Sequence, residues 1–341
     1  MTGTERLVAA VNGEPADRIP VFCNLLDHGA RELGLSLKEY YSKGEYVAEG
    51  QLKMRQRYGY DNLWGLFYAG KSAELLGCGH MIFSDDGPPN VGEMIIRTLD
   101  DISRLEVPSS VIDHPGFEEI RKCMDILKRE AGGRYPLCAY ITAPMTLPAL
   151  LMGMEQWLPL LLYGPEEPRN ELLEKCHRFF ISEVEAYRTA GADVLIYSNP
   201  FGSTDFVSHE FFRERSLPWI RKDMAVVGSA DMVYYCGSAR FNRVIDEVFA
   251  ETRIPTYYLS PLDDLAEGKA ILADRGLCCG VINDIKMIDW SPEEIRREVK
   301  RLVDAGKPGG NFLLGTLVMP WQISDESIRA FMDAAVEYGA W

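Results

Sequence analysis

The polarity of the chain alternates between short apolar runs and longer amphipathic segments. The short runs are rich in β-branched and aromatic residues, which is typical of buried strands. Eight such runs occur, at Ile19–Cys23, Asn62–Tyr68, Leu137–Ile141, Val194–Tyr197, Met232–Cys236, Pro255–Leu259, Leu277–Ile282 and Asn311–Leu314. The segments between them repeat their apolar residues with a helical period, at Leu37–Tyr58, Phe117–Ala131, Asn170–Ala190, Glu210–Val227, Phe241–Glu251, Leu262–Ala273 and Pro292–Ala305. This alternation predicts a parallel sheet whose faces are covered by helices.

Eight strand-helix units favour a closed (β/α)₈ TIM barrel of the α/β class over an open sheet. No Gly-x-Gly-x-x-Gly follows an early strand, so a dinucleotide-binding fold loses its main support. Because the chain has no low-complexity tract, fixed-period repeat or flexible linker, we expect residues 1–341 to form a single domain. The segment Gly70–Val107, between strands two and three, is too long for a plain helix. We expect an excursion over one end of the barrel there.

The net charge of the chain limits the kinds of molecule that it can be expected to bind. The formal net charge of −15 and the pI near 4.9 disfavour nucleic acid and anionic membranes, which both attract basic surfaces. The most apolar stretch, Met145–Leu162, is interrupted by Pro148, Glu155 and Pro159, so no membrane span is expected. Eight cysteines without an N-terminal signal peptide predict a cytoplasmic protein with reduced thiols.

The opening run Glu5–Val21 resembles the start of the uroporphyrinogen decarboxylase superfamily, on its methyltransferase branch. Further stretches agree with that family in the same order, at Ala143–Leu147, Thr189–Asp193, Tyr235–Gly237, Gly280–Asp284, Gly309–Phe312 and Glu337–Gly339. The resemblance covers nearly the whole chain. It implies a barrel enzyme whose site lies at the C-terminal ends of the strands.

Two departures from the family pattern argue against decarboxylation. Decarboxylases are expected to carry an Arg-rich segment after strand one, whereas Asn24–Arg31 contains a single Arg. Tyr68 stands where the resemblance places their strand-two Asp. A substrate with many carboxylates would therefore find little positive charge.

The thiol-methylating relatives hold a zinc with a His-x-Cys motif and a second Cys. At those positions this chain has Tyr234, Cys236 and Thr316, so a tight zinc site is doubtful. A zinc site rebuilt from Asp205, Cys236 and Cys279 is left as an alternative.

The resemblance then implies a methyltransferase that moves a methyl group from a small-molecule O-methyl donor, with an aryl methyl ether favoured. The acceptor would be the Co(I) corrinoid (cobalamin) of a partner corrinoid protein. Three alternatives stay open: a methylcobalamin-to-thiol methyltransferase with a rebuilt zinc site, a uroporphyrinogen decarboxylase, and a non-catalytic homologue that binds corrinoid proteins. The oligomeric state is also open, with a homodimer as one option.

An aryl ether leaves as a phenolate, whose conjugate acid has a pKa near 10, so a proton donor lowers the barrier. We expect His28, just past strand one and titrating near neutrality, or Tyr234 to be that donor. Residues at or near strand ends are expected to line the substrate: Asn24, Tyr68, Asn199, Asp205, Cys236, Asn283, Asp284 and Thr316. Helix capping and core packing are the competing roles for these positions.

Overall fold

The computed structural model describes residues 1–341 and contains ten strands. In chain order they are β1 (Val21–Asn24), β2 (Leu63–Trp64), β3 (Met81–Ile82), β4 (Asn90–Val91), β5 (Leu137–Thr142), β6 (Val194–Ser198), β7 (Met232–Tyr235), β8 (Thr256–Tyr258), β9 (Leu277–Ile282) and β10 (Phe312–Val318). Eight of them form one parallel sheet in the order β1-β10-β9-β8-β7-β6-β5-β2, while β3 and β4 form an antiparallel hairpin. The predicted TIM barrel is confirmed.

The strands β1 and β2 meet at a seam that side chains close. The Asp61 N–H donates to the Val21 carbonyl, and the Val21 N–H returns to Asp61 Oδ2, both at 2.8 Å. The Cys23 N–H donates to Asn62 Oδ1 at 3.0 Å, and Trp64 Nε1 donates to the Cys23 carbonyl at 2.9 Å. These bonds replace a regular ladder and complete the barrel.

Helices follow the barrel strands, as βα units require. They are α1 (Gly3–Asn12), α2 (His28–Leu33), α3 (Leu37–Tyr40), α4 (Gly44–Tyr58), α5 (Lys71–Leu75), α6 (Asp100–Arg104), α7 (Glu118–Ala131), α8 (Leu147–Met152), α9 (Met154–Tyr163), α10 (Glu166–Ala190), α11 (His209–Phe211), α12 (Leu217–Val227), α13 (Ile245–Thr252), α14 (Leu265–Leu272), α15 (Asp284–Met287), α16 (Pro292–Gly306) and α17 (Asp325–Gly339). No helix is long and apolar enough to cross a membrane. The expected excursion over Gly70–Val107 holds α5, the β3–β4 hairpin and α6.

Two hydrophobic clusters divide the side chains of the strands. A cluster of 86 buried residues fills the space between strands and helices. A separate cluster of 14 contains residues from every barrel strand, such as Phe22 of β1, Tyr140 of β5 and Val281 of β9. Since neighbours on a strand face opposite ways, the smaller cluster is the barrel interior.

Two predicted boundaries differ from the structure for local reasons. The segment Leu37–Tyr58 breaks into α3 and α4 because Glu119 Oε2 accepts the Gly44 N–H at 2.7 Å and caps α4 from outside. The last strand runs past the predicted end to Val318, which pairs with Asn24 of β1. It includes Gly315, where a side chain would collide with Tyr258 and Cys279 inside the barrel. The single-domain organisation stays a prediction, which two stable proteolytic halves would contradict.

Candidate active site

Aromatic side chains form a connected layer inside the barrel near the C-terminal ends of its strands. The Tyr140 ring stacks between Trp64, with centroids 4.9 Å apart, and Phe67, at 4.7 Å. Tyr235 meets Tyr140 edge-on at 5.6 Å, and Tyr258 meets Tyr235 at 5.8 Å. We call these five residues the aromatic layer. It combines apolar faces with phenol hydroxyls, a surface suited to a flat molecule that carries few polar atoms.

Asn24 Oδ1 and Asp284 Oδ2 are two of the polar atoms at this end of the barrel that are buried without a hydrogen-bond partner, and Asn199 Nδ2 is a third. Asn24 Nδ2 donates to the Tyr140 hydroxyl, but Asn24 Oδ1 has no partner. Asp284, just after β9, accepts the Ile285 N–H at 3.0 Å through Oδ1 and leaves Oδ2 without a partner. Buried polar atoms are nearly always satisfied, so these two atoms mark places where a water or a ligand atom fits.

Burial changes the charge of Asp284. The residue is 1% exposed, and burial raises the pKa of its carboxyl to about 7. The pKa of the Tyr235 phenol is also raised, first by its own burial and then by the nearby Asp284 charge. Asp284 therefore lies within electrostatic reach of the aromatic layer and holds a proton on much of the protein at neutral pH. Such a carboxyl can donate a hydrogen bond or a proton.

The structure corrects the expected titration of His28. Its ring Nε2 lies 3.0 Å from the Pro320 carbonyl, so Nε2 carries the hydrogen and donates it there. Burial, followed by the Arg31 charge, lowers the pKa of His28 to about 4. The imidazole is therefore neutral at pH 7 and its N–H is engaged. The catalytic role of His28 stays a prediction, but the titration near neutral pH on which it rested is not found.

Tyr234 is the member of the Tyr234–Tyr235 pair that faces the helices. It is fully buried, and its hydroxyl donates to the Gly202 carbonyl at 2.7 Å. Asn199 lies beside Gly202, where it accepts a hydrogen bond from the Thr146 hydroxyl at 3.2 Å. This position does not support Tyr234 as a proton donor to a substrate inside the barrel, because Tyr235 occupies the inward position.

The residues at the relatives' zinc positions are committed to other contacts. Thr316 Oγ1 accepts the Asn24 N–H at 2.9 Å and donates to the Leu317 carbonyl at 2.8 Å. The Tyr234 hydroxyl is bound to Gly202, as described above. Burial raises the pKa of the Cys236 thiol, which disfavours the thiolate that zinc needs. These side chains do not fit a zinc ion.

The alternative zinc set also fails to converge. Cys279 belongs to the barrel interior and Cys236 to the helix-facing cluster. Asp205 forms an ion pair with Arg240 at 3.1 Å and accepts that residue's backbone N–H at 2.8 Å. Across the chain, no three His, Cys, Asp or Glu side chains are grouped to hold a metal ion.

Two further expected lining residues have local structural contacts. Tyr68 donates its hydroxyl to Glu74 of the excursion and packs against Tyr41. Asn283 caps α15 by accepting the Lys286 N–H at 3.1 Å. The site that the structure brings together is therefore Asn24, Asp284 and the aromatic layer.

None of the five residues of the aromatic layer is among the site residues expected from the sequence. The expected aromatic site residues are Tyr68 and Tyr234, whereas the layer consists of Trp64, Phe67, Tyr140, Tyr235 and Tyr258. Both faces of a barrel strand are apolar, so polarity does not reveal which face is inside. Neighbouring strand residues face opposite ways, so the sequence shows which residues share a face with Tyr140 and Tyr235 but not which face lies inside the barrel.

Comparisons with known proteins agree with this architecture. The family model described as uroporphyrinogen decarboxylase (URO-D) matches residues 2–338. The methylcobamide:CoM methyltransferase MtaA of Methanosarcina barkeri is 23% identical and covers 98% of both chains. The uroporphyrinogen decarboxylase of Geobacter metallireducens is 24% identical and covers 92% of this chain and 93% of its own.

A solved methyltransferase from Methanosarcina mazei superposes on the whole of both chains with a TM-score of 0.85, at 20% identity. That likeness shows the fold, while the family model covers almost every residue of the sequence. The chain belongs to the uroporphyrinogen decarboxylase family.

Proposed function

We propose that this protein is a corrinoid-dependent methyltransferase that takes the methyl group of an O-methyl donor, with an aryl methyl ether as the favoured donor. The observation that carries the proposal is the pairing of the aromatic layer with the Asp284 carboxyl, which burial keeps partly protonated at neutral pH. Several relatives named as corrinoid methyltransferases support the reaction class.

The aromatic layer fits the ring of such a donor. Tyr140 already stacks on Trp64 and Phe67 with centroids 4.7 to 4.9 Å apart, and the ring of a methoxybenzene would bind such a surface by the same kind of stacking. A methyl aryl ether has a single weak acceptor at its oxygen. Asp284 Oδ2 is the unpartnered buried atom that could serve it.

Charge argues against a polycarboxylate substrate. Two basic side chains at this end of the barrel are already paired: Lys71 Nζ lies 3.0 Å from Glu74, and Arg240 lies 3.1 Å from Asp205. Arg31 donates to the Ile323 carbonyl at 3.2 Å. A substrate with several carboxylates would have to break these contacts, whereas a neutral ether would not.

The chain's own part in the reaction is to bind the arene and to serve the departing oxygen. As the carbon–oxygen bond breaks, the oxygen keeps the electron pair and takes the proton or a strong hydrogen bond from Asp284. A corrinoid bound by the partner would supply the Co(I) nucleophile that accepts the methyl group. Tyr235, whose phenol pKa is raised by its burial and by the Asp284 charge, could hold the same oxygen through its hydroxyl.

The loops at this end of the barrel suit a partner that brings an apolar face. Four large apolar side chains are solvent-exposed on loops that follow β6, β8 and β9: Phe206 (38% exposed), Leu262 (57%), Ile285 (62%) and Ile288 (39%). Exposed apolar groups that gather at one end of a protein often mark an interaction surface. We assign the docking of the corrinoid protein to this face.

The direct test uses free cobalamin reduced to the Co(I) form and 2-methoxyphenol as probes. The proposed activity predicts the spectrum of methylcobalamin and one equivalent of catechol, with the Asp284→Asn variant as the matched control. A protein that binds cobalamin but never forms the methylated spectrum, with any methoxyarene, would point instead to a non-catalytic corrinoid-binding homologue.

A second candidate is methyl transfer from methylcobalamin to a thiol, which the names of the Methanosarcina relatives favour. It requires activation of the thiol, and Tyr234 and Thr316 are engaged in other contacts. If the protein transfers methyl groups from methylcobalamin to 2-mercaptoethanesulfonate but never from methoxyarenes, this second candidate replaces the first.

A further inference from the structure

A cavity of about 150 Å³ lies at the N-terminal end of the barrel, opposite the candidate active site. Its inner wall consists of barrel-interior side chains, Phe22, Ile196, Val233, Tyr258 and Leu313. Leu7 and Val11 of α1 form its outer wall. A TIM barrel interior is normally filled by layers of side chains, and protein interiors seldom leave a void of this size.

The charged groups at the edge of this cavity are already engaged. Arg188 binds both carboxylate oxygens of Asp231, through Nε at 2.8 Å and Nη2 at 2.6 Å. Asp193 Oδ2 accepts the Leu137 N–H at 2.8 Å. Apart from these two carboxylates and the hydroxyl of Thr256, the wall is aliphatic and aromatic. Such a wall rejects an ion and gives water few partners.

We infer that this cavity is a binding site for a small neutral arene or a similarly compact apolar molecule. Apolar cavities of comparable size in proteins stay dry and accept benzene or xenon. Val11 is 45% exposed, so the cavity reaches the surface beside α1. The inference does not depend on the proposed methyltransferase activity, because it concerns the other end of the barrel.

The cavity and the candidate active site share one side chain. Tyr258 lines the cavity, its ring packs on Tyr235 at 5.8 Å, and its hydroxyl donates to the Thr316 carbonyl at 2.7 Å. A molecule in the cavity would therefore touch a ring of the aromatic layer from behind. Binding at this end is expected to restrict the motion of that ring.

The test compares two exposed valines of α1. Val11 lines the cavity, whereas Val8 is 50% exposed and does not. Toluene at ten times its Kd should raise the Tm of the unmodified protein by about 2 °C, and benzoate should not. Val11→Trp should abolish the toluene shift by closing the opening, while Val8→Trp should keep it. A second measurement is xenon-pressurised crystals, which should show xenon between Leu7 and Val233.

Three results would overturn the inference. The first is the absence of both a toluene shift and a xenon site in the unmodified protein. The second is an equal toluene shift in the Val11→Trp and Val8→Trp variants. The third is a benzoate shift as large as that of toluene, because a wall without free charged partners should discriminate against the carboxylate.

Discussion

The two ends of this barrel have the same strands but different chemistry. At the C-terminal end, Asn24 and Asp284 carry buried polar atoms without partners beside the aromatic layer. At the N-terminal end, Asp231 binds Arg188 through both carboxylate oxygens and Asp193 accepts the Leu137 N–H, around a largely apolar cavity that α1 covers. Unsatisfied groups are costly, so they persist where a ligand can satisfy them, and satisfied groups indicate a stabilising role. Unpaired atoms alone do not identify the reactive end, because Asn62 Nδ2 at the start of β2 is also buried without a partner. What distinguishes the C-terminal end is that one of its unpaired atoms belongs to Asp284, a buried carboxyl with a raised pKa.

The largest change in the rate of methyl transfer is expected from a substitution of Asp284. Asp284→Asn removes the proton donor but keeps a similar shape, so methyl loss from an aryl ether should slow by about 10²–10⁴-fold. Steady-state kinetics measures the effect, and Asp205→Asn, which removes a surface partner of Arg240, serves as the control with little change in rate. A similar loss of rate in both variants would contradict a specific role for Asp284.

The pH dependence has a definite sign. Burial raises the pKa of Asp284 to about 7, and the proposed donor is the protonated form. The rate of the unmodified protein should therefore be highest below pH 7 and fall about tenfold per unit above it. Asp284→Asn should lose this decline, as a pH–rate profile would show. A rate that instead rises through pH 7 would identify Asp284 as a base.

Neighbouring tyrosines provide the next test. Tyr235→Phe removes a hydroxyl from the barrel interior and should lower kcat by about 10-fold or more. Tyr234→Phe leaves the Gly202 carbonyl without its donor, so it should lower the free energy of unfolding by about 1–2 kcal/mol and leave kcat almost unchanged. Kinetics and urea denaturation separate the two effects. The opposite assignment of the two losses would restore Tyr234 as the site residue.

The residues in these tests could not be identified as the main site residues from the sequence alone. The eight βα units, the excursion and several strand bounds were predictable, since alternating apolar periods determine them. The inward side of β7 was not predictable, because Met232, Val233, Tyr234 and Tyr235 are all apolar or aromatic and all buried. The titration of His28 also lay beyond the sequence, because the Pro320 carbonyl that binds it is far away in the chain.

A second buried carboxyl, that of Glu183, can be compared with Asp284. Its pKa is also raised, but it lies outside the aromatic layer. Glu183 of α10 accepts the Ser72 hydroxyl at 2.9 Å, and burial raises its pKa to about 8. The pKa of Glu183 is higher in the folded protein than in the unfolded chain, where it is near 4.3. The contribution of this carboxyl to the free energy of unfolding is therefore fully present below about pH 4. It then falls by about 1.4 kcal/mol per pH unit until about pH 8.

Glu183→Gln should flatten this decline in urea denaturation measured from pH 5 to 8, without moving the pH–rate profile. Ser72→Ala is the matched variant, because it removes the hydrogen bond to Glu183 but keeps the titratable carboxyl, and it should retain the decline. A pH–rate profile that shifts with Glu183→Gln would mean that Asp284 is not the titrating donor.

The smallest effect is expected at the N-terminal end. Leu7→Ala truncates a partly buried side chain against the barrel interior and should cost about 1–2 kcal/mol of unfolding free energy. Its kcat/KM for a methoxyarene should stay within about twofold of the unmodified value, because the truncation leaves Asp284 and Tyr235 untouched. Thermal unfolding measures the loss of stability, and kinetics measures the activity. A large loss of kcat in Leu7→Ala would contradict the expectation that this end of the barrel affects only stability.

The most direct measurement of the central claim is the dependence of methyl transfer on the acidity of the leaving phenol. A series of methoxyarenes whose phenols differ in pKa would be compared in the unmodified protein and in Asp284→Asn. If Asp284 serves the departing oxygen, the penalty of the substitution should shrink steadily as the phenol becomes more acidic, because a better leaving group needs less help from a proton. A penalty that stays the same across the whole series would contradict the proposed role of Asp284.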